Sequence, residues 1–344
     1  MTSRRNFLNA ALAGSASVFL PNLFWNCEDN SQLVIGQNGY QYRVLPEWGT
    51  RDAAKIPVQD CHEMVQTKNG DFYLLTNHTK NNILVYNLDG RIKNTWGTQF
   101  PGAHGLTLFD ENGEEVLWIT DYERHQVFKT TLDGEILLTL DAPQDLEVYK
   151  DPSNYKPTET AIAPDGSIFI ADGYGAQMIL HYNPKGQLIN AFGGYGTGPK
   201  QFLNAHGICL DKRNANAPSL LITAREQQAV KRFALDGSHL ETIALPGAHI
   251  CRPVIHGQNC YFSVLKSNRG VANPDSGFVM ILDENNAVVS CPGATAVETT
   301  TTKYYRQQLR VFQYPHDVCV DRDENLYVAQ WNSGNTYPIK LERV

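Results

Sequence analysis

Short apolar runs separated by polar turns fill most of the chain after residue 30, and this pattern is typical of β-strands rather than helices. Residues 72–75, 83–86 and 116–119 form such runs, each four residues long and rich in β-branched or aromatic side chains. Asn-Gly and Asp-Gly pairs lie between the runs, for example at 69–70 and 89–90. These pairs are the local signal of antiparallel hairpins. The pattern therefore predicts an all-β protein.

One module recurs along this part of the chain. Five copies share an opening inner-strand segment, followed by apolar runs and a Gly-containing turn, and they start at His62, His104, Thr158, His206 and His316. A degenerate copy covers 249–286. The first four starts are 42, 54 and 48 residues apart, and the 110 residues between the fourth start and the last leave room for two modules. A four-stranded propeller blade takes about 40–50 residues, so six modules predict a six-bladed β-propeller.

The ends of the repeat predict how the ring closes. The sixth module has no outer strand after Lys340-Leu341, whereas residues 38–46, before the first module, have the composition of a strand. We expect this N-terminal strand to complete the last blade, because closure removes exposed sheet edges. The predicted propeller domain covers 31–344.

The first 30 residues have the pattern of an export signal and linker. Arg4-Arg5 precede an apolar run rich in Ala, Gly and Ser over 10–20, which ends at Pro21. Paired arginines before such a run resemble a twin-arginine signal, so we expect the translocase of that pathway to carry the protein to the periplasm or outside the cell. The alternative is a retained anchor, because apolar residues resume at 23–25.

Composition narrows the class without naming a function. The 42% hydrophobic content argues against disorder, and the net charge of −7 gives no basic footprint for nucleic acid. Seven cysteines are too few for a disulfide scaffold. Cys209 and Cys319 share one module position, which favours a core role, whereas Cys251 and Cys260 flank a turn at which a disulfide is one alternative.

The strongest chemical signal is the placement of three of the ten histidines. His104, His206 and His316 open modules 2, 4 and 6, and alternate blades of a six-fold ring lie about 120° apart, so their side chains converge on the axis. Three imidazoles with an open fourth position are the arrangement of catalytic zinc, although iron and copper also suit imidazole. The alternative is that each histidine only caps its strand.

The loop after the second strand of each blade opens on the same face as these histidines. The polar and aromatic residues of these loops form the predicted pocket, and they are Asn77, His78, Tyr122, Tyr174, Arg225 and Trp331. Asn77, His78, Tyr122 and Trp331 are the expected substrate contacts. Tyr174 is the candidate general base, provided that the metal and Arg225 lower its pKa. A rim of loops that only hydrogen-bond to one another is the alternative.

Several segments resemble the peptidyl-α-hydroxyglycine α-amidating lyases, which are zinc-dependent NHL-repeat propellers. The segments that carry the resemblance are 101–106, 125–129, 155–158, 172–174, 205–206, 224–226 and 314–317. The resemblance implies zinc on His104, His206 and His316, with Tyr174 and Arg225 as catalytic residues. It also implies a structural calcium ion held by Asp317 and by main-chain carbonyls near Met64 and Leu106. In that family a carbinolamide collapses to an amide and glyoxylate.

Two positions depart from the family pattern. No arginine stands in the first-blade loop, where Asn77-His78 lie, and His62 replaces a small residue at the channel position of blade 1. The favoured hypothesis is an exported metal-dependent lyase-like enzyme acting on a small or peptide-like substrate. One alternative is a non-catalytic NHL propeller that binds a protein or glycan and uses the metal structurally. Another is a lactonase-type hydrolase with a calcium-bound water.

Overall fold

The computed structural model describes residues 33–267, 276–300 and 302–344. The export signal predicted over 1–30 lies outside these residues. In the described part, six consecutive antiparallel sheets make up the body of the protein, with one further two-stranded hairpin. The helical segments described there are short 3-10 turns, at Glu147–Tyr149, Pro152–Asn154 and Arg225–Gln227.

Each of the six larger sheets is one blade, and in blades 1 to 5 the strands follow the chain from the axis outward. Blade 1 contains Cys61–Gln66, Phe72–Thr76, Ile83–Tyr86 and Ile92–Trp96. Blade 2 contains Ala103–Glu111, Glu114–Asp121, Gln126–Thr131 and Ile136–Asp141. Blade 3 contains Glu159–Ile162, Ile168–Ala171, Met178–Tyr182 and Leu188–Gly193. Blade 4 contains Ala205–Asp211, Ser219–Ala224, Ala229–Ala234 and His239–Ala244.

The last two blades are less regular. Blade 5 contains Ala248–His256, Asn259–Ser267, Phe278–Leu282 and Val288–Ser290. A separate hairpin follows it and consists of Thr295–Glu298 and Lys303–Arg306. Blade 6 contains Pro315–Val320, Leu326–Gln330, Ile339–Arg343, Tyr40–Leu45 and Val34–Gln37. The first strands of successive blades contact one another all the way round, and that of blade 6 contacts that of blade 1.

The N-terminal strand closes the ring as predicted. Tyr40–Leu45 pairs antiparallel with Ile339–Arg343, with Val44 opposite Leu341. Tyr42 and Leu341 are fully buried, so the closure joins hydrophobic packing to main-chain hydrogen bonds. The second N-terminal strand, Val34–Gln37, was not expected and extends this sheet to five strands.

The hydrophobic core lies between the blades. Between blades 1 and 2, Leu75 and Ile83 pack with Leu117 and Ile119, and all four are fully buried. Because both faces of the middle strands are covered, these strands are continuous apolar runs. Burying each such side chain contributes roughly 1.5–3 kcal/mol, and this contribution holds the inner strands in a fixed ring.

The cysteines behave as core residues in the described part of the chain. Cys251 and Cys260 are both free thiols, and Cys260 pairs with Ile255 across the hairpin. The disulfide considered from the sequence is therefore wrong. None of the helices in the described ranges is long and apolar enough to cross a membrane.

Candidate metal centre

The inner strands of five blades lose their regular register close to their first residues, at the end of the channel that holds the candidate site. The shifts fall between Cys61 and Glu63, Ala103 and Leu106, Ala205 and Ile208, Ile250 and Pro253, and Pro315 and Asp317. An extra residue in one strand bends it and re-aims its side chains. The residues within these shifts include His62, His104, His206, Cys251 and His316.

The three predicted ligands come together. The ring centroids of His104 and His206 lie 4.8 Å apart, and the ring of His316 lies 4.9 Å from each of them. All three side chains are at most 2% exposed. The three rings form a nearly equilateral triangle around the axis. The Tyr174 hydroxyl contacts two of them, so we call this set the Tyr174-side triangle.

His62 adds a fourth imidazole to this cluster. Its ring lies 4.8 Å from the rings of both His104 and His316. His62, His104 and His316 therefore form a second triangle, which shares its His104–His316 edge with the first. Neither of its ring nitrogens has a hydrogen-bond partner among the described residues. Ligand atoms approach within 4.8 Å of one another in His62, His104 and His316, and also in His206, Cys251 and His316.

Main-chain carbonyls orient two of the rings. His104 Nδ1 lies 2.8 Å from the carbonyl oxygen of Thr158, and His316 Nδ1 lies 3.0 Å from that of His62. A carbonyl only accepts, so Nδ1 carries the proton and Nε2 keeps its lone pair for a ligand. Burial lowers the pKa of His104, His206 and His316 well below its ordinary value. The neutral, oriented imidazoles of His104 and His316 suit a divalent metal ion, whereas Nδ1 of His206 has no hydrogen-bond partner among the described residues.

Tyr174 lies against this triangle. Its hydroxyl is 3.0 Å from His104 Nε2 and 3.2 Å from His206 Nε2. Arg225 Nη2 donates to the same oxygen at 3.2 Å. Burial raises the pKa of Tyr174, and the guanidinium opposes that shift without cancelling it. Arg225 alone therefore does not produce the lowered pKa that the sequence-based hypothesis required.

The loop that carries Tyr174 is built on a buried carboxylate. Asp172 accepts hydrogen bonds from the Tyr149 hydroxyl at 2.7 Å and from the main-chain N–H groups of Lys156 and Ala176 at 2.6 and 2.5 Å. A Cβ atom at Gly175 would lie 2.2 Å from the same carboxylate. The turn is thus determined by Asp172 and by the absence of a side chain at position 175.

This carboxylate should make stability depend on pH. Burial raises the pKa of Asp172 to about 6, despite its hydrogen bonds. The folded state therefore retains a proton that the unfolded state loses near pH 4, so this stabilisation is full below pH 4 and is lost as the pH rises through 6. The difference in free energy of unfolding between wild type and Asp172→Asn should fall by about 2 kcal/mol from pH 4.5 to 6.5. Chemical denaturation at each pH measures it.

Asp211→Asn provides a control for that experiment. Burial raises the pKa of Asp211, but hydrogen bonds and ion pairs with Arg213 and Arg232 outweigh it and lower the pKa to about 2. Both its folded and unfolded values then lie below pH 4.5, so its difference from wild type should stay nearly constant over the same range. A constant difference for Asp172→Asn as well would contradict the prediction.

Arg225 has one free donor in the site. It opens the 3-10 turn Arg225–Gln227 directly after a blade-4 strand, and it is only 4% exposed. Its Nε is buried and makes no hydrogen bond to any described residue. An unpaired buried N–H costs about 1–3 kcal/mol, so the placement of Arg225 here is not a consequence of local hydrogen bonding alone.

The four residues predicted to contact substrate lie in different surroundings from one another. Tyr122 lies in the site, with its ring 5.7 Å from that of Tyr174 and 6.2 Å from that of His104. Trp331 packs on Tyr314 beside Cys251.

The remaining two contacts stabilise the first-blade loop. Asn77 exchanges two hydrogen bonds with Asp60, and His78 Nδ1 accepts from the main-chain N–H of Lys80 at 3.1 Å. These bonds give both residues a local role, and substrate contact by them stays a prediction.

The calcium site inferred from the resemblance does not fit this chain. Its expected ligands are Asp317 and the carbonyls of Met64 and Leu106, and all of them accept hydrogen bonds from the Arg252 guanidinium. A calcium ion needs the same oxygens and would lie beside a positive charge. Arg252 takes the place of the expected cation.

Sequence reasoning missed Arg252 and Cys251 because blade 5 is degenerate. The register shift shows that Ile250–Pro253 in blade 5 corresponds to 103–106 in blade 2, so Cys251 stands where His104 stands. Aligning the fifth module on its apolar flanks, Ile250 and Pro253, would have found both residues.

The channel opens into a cavity of about 590 Å³ beyond Arg252. Its wall includes Val254, Leu210 and both Cys209 and Cys319. The two cysteines thus lie on the inner strands, away from the histidines, where Cys319 is buried and Cys209 half-buried. This position agrees with the core role predicted for them.

Comparison with known proteins agrees with this architecture. A family model described as a 6-bladed β-propeller matches residues 159–328. The chain is a six-bladed β-propeller. Peptidyl-α-hydroxyglycine α-amidating lyase 1 of Drosophila melanogaster is 30% identical over 71% of this chain and 45% of its own. Peptidylglycine α-amidating monooxygenase of Rattus norvegicus is 23% identical over 69% of this chain and 23% of its own. The propeller therefore spans less than half the length of these relatives.

Solved structures agree on the fold alone. Virginiamycin B lyase from Staphylococcus aureus aligns with a TM-score of 0.54 at 14% identity, covering 84% of this chain and 98% of its own. A gluconolactonase from Xanthomonas campestris aligns with a TM-score of 0.56 at 11% identity, covering 91% of this chain and 98% of its own. Because propellers of this shape carry different chemistries, the function must be argued from the site.

Proposed function

We propose that this propeller is an exported, metal-dependent lyase that cleaves the carbinolamide of α-hydroxyglycine-ended peptides into an amide and glyoxylate. The observation that carries the proposal is the Tyr174 hydroxyl, which lies within hydrogen-bond distance of two members of a buried histidine triangle. Similarity to the Drosophila melanogaster lyase at 30% identity supports the choice of reaction. The Arg4-Arg5 pattern supports export.

We assign the metal to the Tyr174-side triangle of His104, His206 and His316 because Tyr174 contacts it, although the ligand atoms that approach within 4.8 Å of one another belong to two other sets, His62 with His104 and His316, and His206 with Cys251 and His316. His62 belongs to the other triangle, and its described contacts include no hydrogen bond to Tyr174. A divalent cation such as zinc, when bound, would polarise a substrate oxygen and favour the phenolate form of Tyr174. Because the pKa of Tyr174 is raised in the protein alone, a bound cation would be needed to favour its phenolate in this reaction.

Tyr174 and Arg225 would share the remaining work. The Tyr174 phenolate accepts the proton of the substrate hydroxyl, the carbon–oxygen bond becomes a carbonyl, and the carbon–nitrogen bond breaks. The electron pair of that bond goes to the amide nitrogen, which takes a proton, and the products are an amide and glyoxylate. Arg225, whose Nη2 reaches the Tyr174 hydroxyl, would bind the substrate carboxylate, a role that the missing first-blade arginine leaves to it.

Metal analysis and product analysis together test the proposal. Purified protein should contain about one zinc ion per chain and should convert an acylated α-hydroxyglycine peptide to equal amounts of amide and glyoxylate. Chelation should stop the reaction, and zinc should restore it. A full complement of metal without product formation, with a lower melting temperature after chelation, would instead favour the non-catalytic propeller.

A matched pair of variants distinguishes the two triangles. His206→Ala removes a ligand from the Tyr174-side triangle and should lower activity at least 100-fold with loss of metal. His62→Ala should keep about one metal ion per chain and activity within a few-fold of wild type. Metal content and initial rates are the measurements, and the reverse order would place the metal on His62, His104 and His316.

A further inference from the structure

Arg252 is an extensively hydrogen-bonded cation at the centre of the ring. Its guanidinium has five N–H donors. Nε and Nη2 donate to the two oxygens of Asp317 at 3.2 and 2.8 Å, and Nη2 also faces the Met64 carbonyl at 3.4 Å. Nη1 donates to the Leu106 carbonyl at 2.8 Å and lies 3.1 Å from Glu63 Oε2. Arg252 therefore makes four hydrogen bonds and an ion pair with Glu63.

These contacts connect most of the ring through one side chain. Arg252 belongs to blade 5, Glu63 and Met64 to blade 1, Leu106 to blade 2 and Asp317 to blade 6. Glu159 of blade 3 lies 3.9 Å from Nε, and its Oε2 has no hydrogen-bond partner within the described ranges.

The three carboxylates around Arg252 need a cation. Glu63, Glu159 and Asp317 are each at most 1% exposed, and burial raises the pKa of Glu63 well above its ordinary value. Acidic groups buried together destabilise a fold unless a positive charge lies between them. Arg252 is the cation that touches all three in the described part of the chain.

We propose that Arg252 is the built-in axial cation of this propeller, so that the ring folds without a metal ion at this level and acquires a calcium-binding site when the guanidinium is removed. The carboxylates of Glu63, Glu159 and Asp317 and the carbonyls of Met64 and Leu106 would then supply five oxygen-bearing groups, and bidentate binding by the carboxylates would bring the number of ligand oxygens to the six to eight that calcium takes. The inference is independent of the reaction proposed for the histidines.

Thermal unfolding with and without calcium tests it. All samples are first stripped with EDTA and then given one equivalent of zinc, so that the histidine site is in the same state throughout. The wild-type melting temperature should change by less than about 1 °C with 10 mM calcium. Arg252→Ala should melt about 5–10 °C lower, and calcium should restore about 3–6 °C of this loss.

Arg252→Ala with Asp317→Asn is the matched control, because it lacks the central carboxylate and should show no calcium effect. Magnesium, which prefers a smaller octahedral site, should restore less than calcium. If Arg252→Ala is insoluble, refolding from denaturant with and without calcium replaces the melt, and recovery should require calcium. Arg252→Lys, with three donors in place of five, should melt between wild type and Arg252→Ala.

Three results would overturn the proposal. They are calcium stabilisation of the wild type, equal stability of Arg252→Ala and wild type, and a calcium effect in Arg252→Ala that survives Asp317→Asn. An Arg252→Ala chain that recovers equally well with and without calcium would also exclude the new site.

Discussion

Replacing His104 by alanine should reduce the bound metal from about one ion per chain to nearly none. His104 and His316 are the edge shared by both histidine triangles, so His104→Ala breaks both, whereas His62→Ala or His206→Ala breaks one. A zinc site supplies about 10–16 kcal/mol over its ligands. The loss of one ligand should therefore weaken binding about 100- to 1000-fold.

Equilibrium dialysis with metal analysis measures this loss, and product formation should fall with it. His181→Ala is the control, because His181 stacks on Phe169 in the blade-3 sheet, away from the axis. Its metal content should match wild type. Unchanged affinity in His104→Ala would show that the metal binds elsewhere and would remove the basis of the proposed function.

Tyr174→Phe should separate chemistry from metal binding. The variant keeps the ring, which packs 5.0 Å from that of His104, and loses only the hydroxyl. A positioned general base contributes about 10²- to 10⁴-fold to a rate, so kcat should fall by that factor. Metal content should stay at one ion per chain, and KM should change little.

Tyr122→Phe is the matched control for that experiment. Tyr122 lies beside Tyr174 in the same site, and its hydroxyl makes none of the described contacts with the histidines. The kcat of Tyr122→Phe should therefore stay within a few-fold of wild type, and loss of the substrate contact predicted for Tyr122 should appear as a higher KM. If Tyr174→Phe retains full kcat, the base is another group. If it loses its metal, the hydroxyl serves to orient the ligands rather than to transfer a proton.

The blade pattern was readable from the sequence because it is local. Each Asp-Gly or Asn-Gly turn and each short apolar run depends on a few neighbouring residues, and the repeat makes the same signal recur. The convergence of His104, His206 and His316 followed from the repeat as well, since equivalent positions in a ring face one axis. Periodicity thus predicted both the fold and the core of the candidate site.

The rest depended on contacts between distant modules. Arg252 reaches the Met64 carbonyl 188 residues away, and neither residue type signals that contact locally. His62 opens the first module but stands out in the sequence as a departure from a family pattern, although its ring completes a second triangle in space. Side-chain placement at register shifts decides both features, and a strand pattern does not reveal where a shift falls.

The pairing of Tyr40–Leu45 with Ile339–Arg343 has a consequence for the order of folding. The partner strand is made almost 300 residues later, so blade 6 stays incomplete while the other five are synthesised. Contacts of such long sequence separation form slowly. Until Ile339–Arg343 has been made and has paired, Tyr40–Leu45 has an open edge that invites pairing with other chains. The ring therefore closes last, and only a chain synthesised through residue 343 can hide its own edges.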